Sequence, residues 1–297
     1  MSETFALRGA IAHTPTFERF ELFPDAYLIC RDEKVVGVFE HLPEEYRGIR
    51  VIDRSGCVII PGMIDLHQHA PQYAFRGLGQ NIEKPDWDSW FDLYAFPEEK
   101  RYQDLEYAQR AYGRLVSDLL KSTTTRICTF ATIHRPATEL LMELLHRSGL
   151  CAYVGKVNMD RNSAEGLLET TEESLEETRR WLQNSVGRYP HVKPIITPRY
   201  IPSCTDEVME GLSALMKEFG VPVQSHLSEG LDEIAWVHQL MPDISFYGQG
   251  YDRFDMMGTV QPTLMAHCIF SNQEEFDMLC SRNITIAHCP DANLNYS

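Results

Sequence analysis

Two histidines stand one residue apart in the stretch PGMIDLHQHAPQY, residues 61–73: His67 and His69. An apolar, β-branched run precedes them. In a strand, side chains at i and i+2 share a face, so both imidazoles point the same way at the strand's end. Three more histidines close apolar runs: His226 in QSHLSE, His267 in MAHC and His288 in IAHC. Each alone reads most simply as a hydrogen-bonded polar residue. At the C-terminal ends of parallel strands they would all lie on one face, where sites are built. Imidazole is the commonest neutral ligand for Zn²⁺ or Fe²⁺, and a catalytic ion needs about three protein ligands and an open position. His67, His69 and His226 supply three nitrogens. Glu229 follows His226 by three residues and is expected on the loop after the strand, where a carboxylate can move protons. The competing reading of Glu229 is a solvated acid opening the helix SEGLDEIAW.

The elements that would position these groups fall into two stretches. Residues 1–60 read as short strands with turn residues between them, and CRDEKVVGV reads as a hairpin. A small, sandwich-like β domain is expected there. From residue 61, apolar β-branched runs alternate with helical patterns: 123–133 before 137–149, 151–159 before 170–185, 192–200 before 205–220, 221–227 before 232–241, and 263–270 before 271–283. Thr170 with Glu173, and Ser271 with Glu274, have capping-box spacing. Counting CVIIPGMIDLHQH first and ITIAHCP last, this makes seven strands of the fully buried kind found in parallel sheets. The pattern predicts an α/β fold, a (β/α)₈ TIM barrel over 61–297 holding strands 1 to 7 and lacking its last unit. A doubly wound open sheet is the competing architecture.

Composition narrows the partners. With 297 residues and a net charge of −16, the chain lacks the basic balance that nucleic acid or an anionic membrane selects. No run approaches the ~18 apolar residues of a membrane span, and MSETFALRGAIAH carries no secretory pattern. None of the eight cysteines forms a C-x-x-C pair, and several sit in apolar runs. Buried, reduced thiols in a cytoplasmic protein are expected.

The segment PGMIDLHQHAPQYAFRG resembles the H-x-H segment of the amidohydrolase superfamily, and most closely its guanine deaminase branch. FPEEKRYQD, TTTRICTFATIH, VGKVNMD, TTEES, VKPIITPRY, QSHLSE, MAHC and IAHCPDANL are similar in the same order, from about residue 55 onward. The resemblance implies hydrolytic deamination of guanine to xanthine and ammonia, with one Zn²⁺ (or Fe²⁺) per chain held by His67, His69 and His226. Glu229 and His267 would be catalytic. Gln72, Arg199 and Tyr200 would line the purine pocket, with His69, His226, Glu229 and His267 also facing substrate. Gln72 offers both a donor and an acceptor to a purine edge, Arg199 can donate to a carbonyl, and Tyr200 can stack. Lys156 occupies the strand-three position that bridges two metals in binuclear members; in the guanine branch the implied site is mononuclear. The family's strand-eight Asp has no counterpart, and Asp291 is a poor substitute. Deamination of another purine or a pterin, or a catalytically inactive truncated barrel acting as a binding protein, are the alternatives. A homodimer is an expectation from analogy.

Overall fold

A computed structural model of the protein describes residues 4–78 and 90–296. Contacts divide the chain into two compact units, Met1–Met63 and Ile64–Ser297.

The first unit is built on one four-stranded sheet, with β1 (Thr4–Thr16), β2 (Arg19–Arg31), β3 (Lys34–Phe39) and β4 (Arg50–Ile59) in the order β3-β2-β1-β4. The β2–β3 connection is the expected hairpin. Asp32 and Glu33 both take positive φ, 49° and 65°, as a tight turn matching the strand twist requires. Ala6, Ile29 and Tyr46 form the small core.

The second unit carries the parallel sheet. Its strands are β5 (Met63–His69), β6 (Thr124–Phe130), β7 (Cys151–Gly155), β8 (Val157–Asn158), β9 (Val192–Pro194), β10 (Thr197–Pro198), β11 (Val223–Leu227), β12 (Thr263–His267) and β13 (Thr285–Ala287). Hydrogen bonding links β5-β6-β7-β9, β8-β10 and β11-β12-β13. Among the described residues a parallel bridge, Ile196 to Val223, joins the segment between β9 and β10 to β11. Spatial order therefore follows chain order, as expected of strands separated by helices. The helices between them bury one apolar face each. Leu141, Met142 and Leu145 of the helix Arg135–Ser148 and Val208, Leu212 and Met216 of Asp206–Phe219 belong to one large core cluster.

Two strands read as continuous from sequence are broken in the structure. The 151–159 run splits at Lys156 and the 192–200 run at Ile195–Ile196. Pro194 has no N–H for a ladder. Lys156 is fully buried and its ammonium lies 2.9 Å from both carboxylate oxygens of Glu169, and the pairing keeps one register across the break, with Val154 opposite Pro194 before it and Val157 opposite Thr197 after it. Gly155 admits the neighbouring strand: a Cβ there would sit 1.8 Å from Thr197 Oγ1 and 2.8 Å from Gln224 Nε2. The capping box at Thr170 and Glu173 is present. The one expected at Ser271 and Glu274 is displaced by one residue. Asn272 caps the helix Gln273–Ser281 and accepts from Glu275 N at 2.9 Å. The buried Glu275 carboxylate turns inward to Ser228 Oγ (2.7 Å) and Gly248 N (2.6 Å).

The thiols depart from expectation too. Cys128, Cys204 and Cys268 are buried, but Cys57 and Cys280 are exposed and the rest are half-buried. Cys57 lies on the largely exposed strand β4 and Cys280 on the outer face of its helix. No helix among the described residues is long and apolar enough to cross a membrane.

The Gly155 contact generates a test. Gly155→Ala should destabilise by about 1–3 kcal/mol, since an added methyl in a packed core must displace Thr197 and Gln224. Thermal unfolding followed by circular dichroism should show a midpoint several degrees lower. An unchanged midpoint would mean that this part of the sheet has room the structure does not show.

Candidate active site

The end of β5 meets the ends of β11 and β12. His69 Nε2 lies 3.0 Å from His226 Nε2. The His67 ring is 5.2 Å from His69, 4.9 Å from His226 and 5.1 Å from His267, centroid to centroid. Phe130, at the end of β6, packs against His67, His69 and His226 at 5.2, 4.7 and 4.7 Å and is itself fully buried. The four histidines thus share one small volume walled by an aromatic ring.

Burial decides their charge. It is the largest influence on His67, His69 and His226 and disfavours the protonated ring. His67 is pushed down to about 3, helped by His267 and Arg199. His69 and His226 are held well below the ordinary histidine range, again by burial first. His267 is lowered by burial against a raising contribution from Asn293, whose Oδ1 lies 3.1 Å from its Nδ1. At neutral pH the cluster therefore presents imidazole lone pairs rather than imidazolium.

The tautomer of His226 follows from its partner. Its Nδ1 lies 2.6 Å from the carbonyl oxygen of Arg199, so Nδ1–H donates there and Nε2 keeps its lone pair. A backbone partner of this kind is how proteins orient a metal-binding imidazole. The Nδ1 atoms of His67 and His69 are buried and make no hydrogen bond. The nitrogens that face each other are the other pair, Nε2 of His69 and Nε2 of His226, 3.0 Å apart, as two atoms aimed at one ion would be. Ligand atoms of His67, His69 and His226 all lie within 4.8 Å of one another. This donor set, three neutral nitrogens, fits a borderline cation such as Zn²⁺.

Two backbone devices bring in the carboxylate. Ser228 takes φ 49° at the end of β11, and His267 and Cys268 take 72° and 54° at the end of β12. Non-glycine residues in this region each cost on the order of 1–3 kcal/mol and persist where the surroundings hold them. The hold is visible: Cys268 N donates to Leu227 O at 2.8 Å and Phe270 N to Ser228 O at 3.0 Å. The turn sets Glu229 Oε1 3.2 Å from His267 Nε2. Glu233 fixes the loop from below. It accepts from Glu229 N at 3.1 Å, Gly230 N at 3.4 Å and the Tyr247 hydroxyl at 2.8 Å. Burial, then the Glu229 charge, raises Glu233 to about 7.

A second constellation surrounds Arg199. Its Nη1 lies 3.2 and 3.1 Å from the two oxygens of Glu99, and Gln72 Nε2 donates to Glu99 Oε1 at 3.3 Å. Arg199 and Glu99 are buried. A cleft of about 270 Å³ opens beside Gln72 and His69. Tyr200 sets its ring edge-on to Trp236 at 6.2 Å.

The structure thus gathers His67, His69, His226, His267 and Glu229, and joins Gln72 to Arg199. His288 stands exposed, as does Asp291. Glu99, Phe130 and Glu233 were not singled out from sequence. FPEEKRYQD pointed to the right stretch, but nothing in its pattern separates Glu99 from Glu98, which turns away to Arg101 at 3.0 Å.

A parallel α/β sheet carries, at its strand ends, histidines that could hold a metal ion beside a carboxylate. The chain belongs to the amidohydrolase family, which it matches over residues 58–297. It is 37% identical to the guanine deaminase of Dictyostelium discoideum over 98% of this chain and 67% of that protein. To the guanine deaminase of Rattus norvegicus it is 41% identical over 80% of this chain and 52% of that protein. It superposes on the crystal structure of guanine deaminase from C. acetobutylicum with bound guanine in the active site, with a TM-score of 0.93 and 43% identity, over all of this chain and 69% of that one. The chain spans between about half and two thirds of the length of these two curated relatives.

The depressed histidines set a pH dependence. Metal-free, the native state keeps His67, His69 and His226 neutral where the unfolded chain protonates them near pH 6.5. Below that pH the unfolded state binds more protons, so stability falls as pH falls. Glu233, raised to about 7, acts in the opposite direction, but it is one group against several histidines. The urea midpoint of the metal-free protein should be clearly lower at pH 5.5 than at pH 7.5. Equal midpoints would mean that the imidazoles titrate as freely in the folded state as in the unfolded one.

Proposed function

We propose that this protein hydrolyses guanine to xanthine and ammonia. The observation that carries the reading is the Glu229–His267 pair, 3.2 Å apart, at the edge of the His67, His69, His226 cluster. The guanine deaminases among its relatives support the substrate. The seven strand positions are read as members of a (β/α)₈ barrel. The meeting of β5 with β11 and β12 supports this, because a flat sheet in this order would hold those strands well apart.

His67, His69 and His226 would hold one Zn²⁺ or Fe²⁺. Bound there, such an ion supplies Lewis acidity and lowers the pKa of water at the site. The remaining work falls to the chain's own groups. Glu229 accepts a proton from the attacking water and delivers it to a purine ring nitrogen. It then assists protonation of the C2 amino group, which leaves as ammonia, so that one water is consumed per xanthine formed. His267 Nδ1–H donates to Asn293 Oδ1, which leaves Nε2 of the neutral ring to accept from Glu229 when that carboxyl carries the proton. Arg199 donates to the purine O6, Gln72 meets the adjoining edge, and Tyr200 borders the ring. Lys156 takes no part in metal binding, since Glu169 already binds its ammonium.

The test combines turnover with metal analysis. Ammonia release and xanthine formation from guanine should both occur with the metal-loaded protein. Glu229→Gln should keep the metal and lose 10²-fold or more in turnover, as expected for a proton-transfer group. Near-normal ammonia release by that variant would assign the proton transfer elsewhere. The His67→Ala/His69→Ala double variant should lose the metal altogether, and retention at the wild-type ratio would remove the site.

A further inference from the structure

Glu99 has no role in the chemistry described so far, yet it organises the two side chains assigned to the purine edge. It lies on the short helix Phe96–Lys100 and is 1% exposed. One of its oxygens, Oε1, accepts from both Gln72 Nε2 and Arg199 Nη1, and the other, Oε2, accepts from Arg199 Nη1. Phe91 and Phe96 flank the same guanidinium at 5.4 and 5.7 Å. Arg199 is thus held by an ion pair on one side and by aromatic rings on others.

The consequence is chemical. A carboxylate accepts hydrogen bonds and offers none, so the end of Gln72 that meets Glu99 must be its NH₂. The Gln72 carbonyl is then the end left for a ligand, as an acceptor. Arg199 has only donors. Together they offer an acceptor beside a donor. A 6-oxopurine presents the complement, with N1–H donating and O6 accepting. A 6-aminopurine presents the reverse, with N1 accepting and the amino group donating. We propose that Glu99 is the positioning residue that makes this site select 6-oxopurines, by fixing which end of Gln72 faces the ligand and by holding Arg199. This rests on the proposed guanine-binding reading of the site. A site built to hydrogen-bond one pattern rejects its inverse strongly, because its buried polar groups are left unpaired.

The experiment uses guanine and 2,6-diaminopurine, which keeps the C2 amino group but reverses the N1–C6 pattern. Binding of both by calorimetry, kcat/KM for guanine and metal content are measured in wild type and in Glu99→Gln. The amide at position 99 can donate to Gln72 and let it turn over. Guanine affinity and kcat/KM should fall at least about tenfold, diaminopurine affinity should hold or rise, and metal content should stay the same. Parallel losses for both purines, or an unchanged preference, would overturn the assignment. If Glu99→Gln does not fold, because it strands the Arg199 charge, the double variant Glu99→Gln/Arg199→Met removes both charges and is compared with Arg199→Met. The double variant should have lost further preference, and equal preference would overturn the proposal. Wild-type protein that neither binds nor deaminates guanine would defeat the proposed function and this inference with it. Turnover with an intact preference in the variant would defeat the inference alone.

Discussion

The structure depends on holding four imidazoles neutral in one buried volume. Ring centroids near 5 Å leave no room for a second positive charge, since two imidazolium rings at that separation in a poorly solvated site would repel strongly. Phe130 excludes water from one side. The cost of burying such groups is offset only if their nitrogens find partners. His226 has one in the Arg199 carbonyl, while a neutral His267 has a single N–H for the two acceptors beside it, Glu229 Oε1 at 3.2 Å and Asn293 Oδ1 at 3.1 Å. His67 and His69 each keep an unpaired Nδ1. The local backbone is bent to maintain the cluster, through the left-handed conformations of Ser228 and His267.

Around this point the protein answers each buried charge separately. Arg199 faces Glu99, Lys156 faces Glu169, and Glu275 accepts from Ser228 and Gly248. Buried pairs of this kind add little net stability, but breaking one leaves an uncompensated charge and is strongly destabilising. They fix conformation instead. Ser228 illustrates the point: its hydroxyl bond to Glu275 and its carbonyl bond to Phe270 N hold the turn that aims Glu229. The histidines and the carboxylate are thus placed by interactions beyond their own strands: Glu275 and Asn293 reach in from later helices, Glu233 from the helix that follows Glu229, and the Arg199 carbonyl from the neighbouring strand end.

Much of this was legible in the order of residues. The alternation of β-branched runs with amphipathic helices located the strands of the second unit; burial on both faces, which leaves a continuous apolar signature, holds for β11 and β12 but not for β5 and β13, where Met63, Ile64 and Ile286 are exposed. Histidines at strand ends stood out because an apolar run makes a terminal imidazole conspicuous. The breaks at Lys156 and Ile195–Ile196 were not legible, and neither was the partner of the buried lysine, Glu169 thirteen residues on, a contact that no local pattern encodes. Glu99 was missed for the same reason. Two adjacent glutamates look alike until one is seen to meet residues 27 and 100 positions away. The displaced cap at Asn272 shows the limit of spacing rules where two polar residues precede two adjacent acids.

The most direct test of the account is X-ray absorption at the zinc edge of protein loaded with one equivalent of Zn²⁺. The account predicts one tightly held ion per chain, with the multiple-scattering signature of about three imidazoles and Zn–N distances near 2.0–2.1 Å. An ion with one imidazole or none, or a scatter of weakly bound zinc over the surface, would contradict the claim that His67, His69 and His226 form a metal centre.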